Sequence, residues 1–349
     1  MIAGPGRNKA DTGASPSAPP RFVRDETPFL KLPEGRALSG VMCVDVGPDG
    51  HIWVAHAHGL ADRAPNLPKD RSKLLPEVVE FDADGAFIQA WGAPGEVPEI
   101  DGEPQWPEAI ETIAVDPEGA VWVFGVRRTN DHAALRFSPD GKLLLRLGRF
   151  GATGSDTSHE LLGTPTDIHL DVASREAFIS DGYVNHRVIS FNVDTGEFIR
   201  AWGAYGKPVP TAGVGRESFD LVHSLIRGPE GHLYVCDRKN NRVQVFDAIG
   251  RKDARFVREF HVAPGGEFDH GSVGEVAFSE DGEHLYAVDN SRSCIWIGSV
   301  KTGEMLRSFA ETDDPLPILD MIHRIACDGE GNVLVARVAA GLERYLIQH

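Results

Sequence analysis

The chain has 349 residues, with 52 acidic against 35 basic side chains and a net charge of -17. Phosphate backbones and anionic membrane surfaces call for a basic face, so nucleic-acid and membrane partners are excluded and a small-molecule substrate is expected. Hydrophobic residues make up 41% and charged residues 25%, the balance of a globular chain with ample core.

Residues 1–20, MIAGPGRNKADTGASPSAPP, are rich in Gly, Ala, Ser and Pro and lack the apolar core of a secretory signal. They read as a disordered tail, with residues 21–349 forming one domain. No run approaches the ~18 apolar residues of a membrane-spanning helix. Cys43, Cys236, Cys294 and Cys327 form no CxxC pair and sit in or beside apolar runs. They read as buried thiols in a reducing compartment, and a cytoplasmic location is expected.

From residue 43 onward one pattern recurs. CVDVGPDGHIWVAHA, TIAVDPEGAVWVFGV and DIHLDVASREAFISDGY are three copies. SLIRGPEGHLYVCDR, EVAFSEDGEHLYAVDNS and RIACDGEGNVLVARV are three more. Each is strand, Gly-bearing turn, strand. A second hairpin follows in most copies, as in FDADGAFIQAWG, FSPDGKLLLRLG and FNVDTGEFIRAWG. The mean period is about 56 residues, which with four strands per unit predicts an all-β, six-bladed β-propeller. The last copy ends in GLERYLIQH and lacks a fourth strand. RFVRDETPFLKL, before the first copy, is predicted to supply it and close the ring, removing an open edge.

The residues that open the innermost strands stand at one mouth of the central channel. They are Met42, Glu111, Thr166, His223, Gly274 and His323. Two imidazoles and a carboxylate converging on one axis suit zinc, or iron or manganese in a two-His-one-carboxylate arrangement. Arg238 and Arg187 occupy similar repeat positions. His56, His58 and His186 lie in loops after second strands and are candidates to line the mouth. Asp181, Asp237 and Asp289 read as turn-capping residues. Asp269 and His270 lie in a loop of blade five, and the insert at residues 65–73 reads as a lid or an exposed loop.

TPTDIHLDVASREAFISDGYVNHRVISF and VHSLIRGPEGHLYVCDRKNNRVQVF closely resemble the NHL-repeat propellers. More narrowly, they resemble the peptidyl-α-hydroxyglycine α-amidating lyases, across blades one to four and six. The resemblance implies a six-bladed propeller with a catalytic zinc on three histidines. It implies cleavage of the N–Cα bond of a peptide ending in α-hydroxyglycine, giving a peptide amide and glyoxylate. His223 in VHSL and His323 in MIHRI match two of the zinc histidines. Glu111 in AIETIAVD falls where the third is expected. Tyr183 in SDGY matches the catalytic tyrosine, Arg238 in CDRKN an active-site arginine, and Met321 a methionine beside the metal. A second substrate arginine falls near His56 and His58 and is missing, so those histidines are assigned to substrate binding. Arg324 stands where an acidic residue serves a structural calcium, so that calcium is not expected. Val184 and Tyr234 stand at disulfide positions of secreted members.

These readings converge on a metal-dependent lyase acting on a small α-hydroxy-amide or related hydroxylated substrate. The metal site is Glu111, His223 and His323, with zinc the leading ion. Tyr183 is the base, Arg238 its catalytic partner, and Met321, His56 and His58 contact substrate. The alternatives are a metal-dependent lactonase or esterase, which also uses a carboxylate-bearing propeller site, and a non-catalytic NHL interaction platform. The sequence leaves the oligomeric state open.

Overall fold

The computed structural model describes residues 18–63, 65–93, 95–210, 216–262, 272–311 and 321–348. They form six four-stranded antiparallel sheets, the six predicted blades, plus a small hairpin at residues 99–104. In blades one to five the chain runs from the inner strand outward. In blade six, strands Ile322–Cys327, Val333–Arg337 and Gly341–Gln348 are joined on the outside by Arg21–Arg24. Arg21 pairs with Gln348 and Arg24 with Tyr345, so both chain ends lock one blade. Asp25 adds an ion pair to Arg344.

An isolated four-stranded sheet has two faces to cover. Here each face is covered by the next blade. One apolar cluster lies between each adjacent pair, from Met42, Trp53 and Val78 against Ile113, Val123 and Phe137 to Ala326 and Leu334 against Val41, Val44 and Val54. A large side chain at the second or third residue of each second strand anchors these layers. Trp53, Trp122, Phe178, Tyr234, Tyr286 and Leu334 are all buried. Each such side chain contributes roughly 1.5–3 kcal/mol on burial, and none can be buried without its neighbour blade.

The turns between first and second strands follow from glycine. Gly50, Gly119, Gly231, Gly282 and Gly331 take positive φ there, a region that costs glycine little. In blade three Arg175 takes φ 58 at the matching place, and its guanidinium is held by Asp194 and Glu118.

Residues 1–17 of the expected tail, Asp269 and His270 lie outside the described residues. The insert at 65–73 is packed rather than loose. Leu67 is buried against Leu60 and Ala339, and Asn66 donates to the Ala339 carbonyl. Among the described residues no helix is long and apolar enough to cross a membrane. All four cysteines are free thiols. Burial raises Cys43, and pushes Cys236, Cys294 and Cys327 up to about 12, so none is a ready thiolate.

Candidate metal centre

Each inner strand carries a β-bulge near its start, and the bulged residue is the one singled out from the repeat. The register slips between Val41 and Cys43, Ile110 and Thr112, and Pro165 and Asp167. It slips again between Val222 and Ser224, Val273 and Val276, and Ile322 and Arg324. A bulged residue has no partner across the ladder and its side chain is re-aimed. Five of the six bulged residues carry a side chain, Gly274 being the exception, and three of those five meet.

Glu111, His223 and His323 are buried, and one ligand atom from each lies within 4.8 Å of the others. Glu111 Oε1 is 3.0 Å from His323 Nε2 and 3.8 Å from His223 Nε2. The two rings stand edge to face, 5.8 Å apart. Each imidazole is oriented by the next blade. His223 Nδ1 donates to the Gly274 carbonyl at 2.8 Å, and His323 Nδ1 to the Met42 carbonyl at 2.6 Å. Those carbonyls belong to the bulged residues of blades five and one.

This bonding fixes the tautomers. A carbonyl only accepts, so both Nδ1 atoms carry hydrogen and each ring turns its Nε2 toward Glu111, where the neutral ring would offer a lone pair to a metal and the charged ring donates to the carboxylate. His223 Nε2 is buried without a hydrogen-bond partner. Burial lowers His223 to about 3, beyond what the Glu111 contact restores. Burial raises Glu111, but the charge of His323 and the contacts to both histidines outweigh it and hold it well below the usual range. Two imidazole lone pairs and a carboxylate, braced through their far nitrogens, are a donor set for a divalent transition metal. The residues present fit such an ion.

Tyr183 follows the second strand of blade three, Glu176–Asp181. Its hydroxyl donates to Glu111 Oε1 at 2.8 Å, and its ring meets His223 edge-on. Burial and the Glu111 charge raise its phenol well above the usual value; Arg238 and Arg128 act against them. The loop is set by Asp181, which accepts from Gly163 N, Asn185 Nδ2 and Arg187 Nε. Gly182 is required by close approach, because a Cβ there would lie 1.9 Å from the Val222 carbonyl oxygen.

Arg238 opens a 3₁₀ turn after the second strand of blade four and is 6% exposed. Among the described residues no carboxylate pairs with its guanidinium, and its Nε has no partner. The expected equivalence with Arg187 is corrected. Arg187 pairs with Asp181, and its counterpart is Arg242, which pairs with Asp237. Those arginines brace loops, whereas Arg238 stands one residue after its aspartate, where blade three has Gly182. Met321 packs near Met42, Leu60 and Ile110 at the same mouth. A side cavity of about 170 Å³ adjoins it, lined by Met42, Leu60, Ile110 and Val126 with Arg63 and Arg127 among its polar residues.

The assignment of His56 to substrate is also corrected. His56 accepts from Ser39 N and donates to the Pro76 carbonyl, which uses both ring nitrogens. His58 Nε2 donates to the Leu75 carbonyl, and its backbone N–H to Glu77. Both hold the insert against blade one. His186 pairs with Asp156 on the blade-three loop.

Two features went unread in the sequence. Arg128 lies over the Tyr183 ring, 4.9 Å from its centroid. Beneath the metal centre, Arg324 crosses the channel to Asp167, Glu275, Thr112 Oγ1 and the Thr166 carbonyl. Its guanidinium thus fills the channel between two carboxylates. A second cavity of 410 Å³, lined by Asp45, Asp167, His169 and Glu275 among others, opens beyond this layer and contains none of the predicted site residues.

The NHL repeat family matches residues 219–246, the stretch that holds His223 and Arg238. Mouse peptidyl-glycine alpha-amidating monooxygenase is 29% identical over 229 residues, covering 64% of this chain and 22% of that protein. The chain therefore spans about a fifth of that relative's length. Peptidyl-alpha-hydroxyglycine alpha-amidating lyase 2 of Drosophila melanogaster is 35% identical over 136 residues, 38% of this chain and 29% of the relative. Among solved structures, virginiamycin B lyase from Staphylococcus aureus superposes with a TM-score of 0.53 at 15% identity. That superposition covers 94% of this chain and 87% of the other, and it carries the fold alone. The chain is an NHL-repeat-bearing, six-bladed propeller that resembles the amidating lyases.

Proposed function

We propose that the chain is a metal-dependent lyase that cleaves a small α-hydroxy-amide or related hydroxylated substrate at this mouth. The observation that carries the reading is the meeting of Glu111, His223, His323 and Tyr183 from four blades, with Arg238 buried and unpaired beside them. The similarity to proteins named as amidating lyases supports it. A divalent transition metal, zinc first and iron or manganese next, would be held by Glu111, His223 and His323 and would supply Lewis acidity toward a substrate oxygen.

The protein's own residues do the rest. The Tyr183 hydroxyl now gives its hydrogen to Glu111, and burial and that carboxylate both oppose phenolate formation. Neutralising the Glu111 charge relieves the second effect, and Arg238 already works against the first. Tyr183, as the phenolate left once its own proton has passed to solvent, is then placed to take the proton of the substrate hydroxyl and to return it to the departing nitrogen. As that proton leaves, the carbon–oxygen bond becomes a carbonyl and the carbon–nitrogen bond breaks. The amide nitrogen leaves with the electron pair and takes up a proton. Arg238, desolvated and without a carboxylate partner among the described residues, is suited to bind an anionic group of the substrate at the reacting carbon.

The test is metal content of protein purified without chelator, beside Glu111→Ala, His223→Ala and His323→Ala. About one equivalent of a transition metal, lost in all three folded variants, is expected. A parent that takes up no metal even on reconstitution removes the enzymatic reading and leaves an interaction platform. A screen of α-hydroxy-amides against lactones then separates lyase from hydrolase. Lactone turnover that survives Tyr183→Phe favours the hydrolase.

A further inference from the structure

Blade five brings no side chain to the bulged ring at the mouth, because its residue there is Gly274. The φ of Gly274 is not positive, so backbone conformation does not call for glycine at this place. A neighbour does. A Cβ on Gly274 would lie 2.3 Å from Oδ1 of Asn290. The amide of Asn290 thus takes the space that a sixth side chain would enter, beside the Gly274 carbonyl that orients His223.

Asn290 is placed as Arg238 is. Each follows the aspartate that ends the second strand of its blade, Asp237 in blade four and Asp289 in blade five. Ser272 joins the two, donating its N–H to the Arg238 carbonyl and accepting from Asn290 N. The amide has one orientation. Asn290 Nδ2 donates to the Ile322 carbonyl at 2.7 Å, and a carbonyl only accepts, so Oδ1 is the atom that faces Gly274. Asn290 is 8% exposed, and its Oδ1 has no hydrogen-bond partner among the described residues. A buried acceptor left unpaired carries a desolvation cost that an incoming donor relieves.

An α-hydroxy-amide offers two such donors. Its O–H gives its proton to Tyr183, on blade three, in the reaction above. Its N–H then needs an acceptor. Arg238 and Arg128 only donate, and the ligand atoms of Glu111, His223 and His323 converge on one another. Asn290 Oδ1 is the buried acceptor still unspent.

We propose that Asn290 is a specificity-determining residue, whose Oδ1 accepts the N–H on the carbon–nitrogen bond that is cleaved. The assignment rests on the lyase reading and narrows its substrates to amides whose nitrogen carries hydrogen. Esters and lactones set oxygen lone pairs against Oδ1, and N-alkylated amides set a carbon there. Both leave the acceptor unpaired, which is how a buried polar group rejects an isostere. Asn290 orients the amide and takes no proton.

The experiment is calorimetric binding to the zinc-loaded chain of three ligands without a hydroxyl to react: hippurate, its N-methyl derivative and O-benzoylglycolate. They share a benzoyl group and a carboxylate and differ at the group between. The parent is expected to bind hippurate about 10-fold or more tighter than the other two, the scale of one hydrogen bond gained against one acceptor stranded. Asn290→Ala is expected to bring all three within about 3-fold, chiefly by weakening hippurate. Gly274→Ala keeps Asn290 but pushes its amide aside, and it is expected to do the same. It decides the matter where Asn290→Ala fails to fold. A parent that does not bind hippurate, or binds the three alike, overturns the assignment. So do folded variants that keep the full preference, or that weaken all three ligands equally as a merely structural role would. Turnover of N-benzoyl-α-hydroxyglycine is followed separately. Hippurate selected through Asn290 without turnover upholds the acceptor and sinks the lyase reading. Turnover with an indifferent Asn290 does the reverse.

Discussion

Replacing Arg324 with methionine removes a guanidinium that lies between two carboxylates in the channel. It donates to Asp167 at 3.1 Å and to Glu275 at 3.0 Å, and it is 1% exposed. Deleting one partner of such a group costs about 3–5 kcal/mol, because the charges left behind stay out of water. The pH dependence comes from the carboxyls. Burial, only partly offset by Arg324, pushes Glu275 up to about 7 and raises Asp167. A carboxyl raised in the folded state adds stability below its unfolded value, and this is lost as pH rises through the folded value. Without Arg324 both carboxyls rise further, and each unit is worth about 1.4 kcal/mol wherever the group must ionise. Near pH 5.5 Glu275 is already protonated in the parent, so there is less attraction to lose. Urea unfolding should therefore show a larger deficit for Arg324→Met near pH 8 than near pH 5.5, by on the order of 1–2 kcal/mol. Adding Glu275→Gln removes one stranded charge and should recover part of the deficit at the higher pH. Equal deficits at the two pH values, or a double variant no more stable than the single one, refute the reasoning.

Tyr183→Phe should lower kcat by about 10²–10⁴ while metal content stays at the parent level, since the hydroxyl contacts Glu111 without being one of the three clustered donors. Metal loss in that variant would mean the tyrosine builds the site rather than working in it. His56→Ala strands the Ser39 N–H and the Pro76 carbonyl and should cost about 1–3 kcal/mol in chemical denaturation. Its KM should be unchanged, and a raised KM at full folding would return His56 to the substrate. Gly182→Ala forces a methyl into the Val222 carbonyl and should cost about 1–3 kcal/mol. It should also reduce metal content, because the displaced strand carries His223; a stable, fully metallated variant would contradict the packing.

The fold was legible because a propeller repeats its instructions. Alternating apolar residues, Gly at positive φ and Asp at strand ends recur in most blades, and each copy corrects the reading of the others. The missing outer strand was readable by subtraction, and Arg21–Arg24 supplies it. Blade three shows the limit of such counting, since Arg175 does there what glycine does elsewhere. The cluster of Glu111, His223 and His323 was legible for a related reason. The residue opening each inner strand is the bulged one, so a single repeat position collects six residues at one mouth, and composition then picks out Glu111, His223 and His323.

What stayed hidden depends on loops, whose length varies between blades and breaks the register. SDGYVNHR and CDRKNNR differ by one residue between the aspartate and its pairing arginine. That offset makes Arg187 and Arg238 look equivalent in sequence, although among the described residues only the second lacks a carboxylate. His56 and His58 lie on or beside a second strand that faces the insert, and a sequence cannot show that backbone groups have already claimed both ring nitrogens of His56 and Nε2 of His58. Arg128 sits in VRRTN with nothing to set it apart from Arg127. The difference between them is a direction: one guanidinium turns to Glu108, the other to the face of Tyr183. Repeat position therefore identifies the side chains that the strands gather at the mouth. The charged groups around them are placed by loops, and for those the pairing seen in the folded structure is the informative signal.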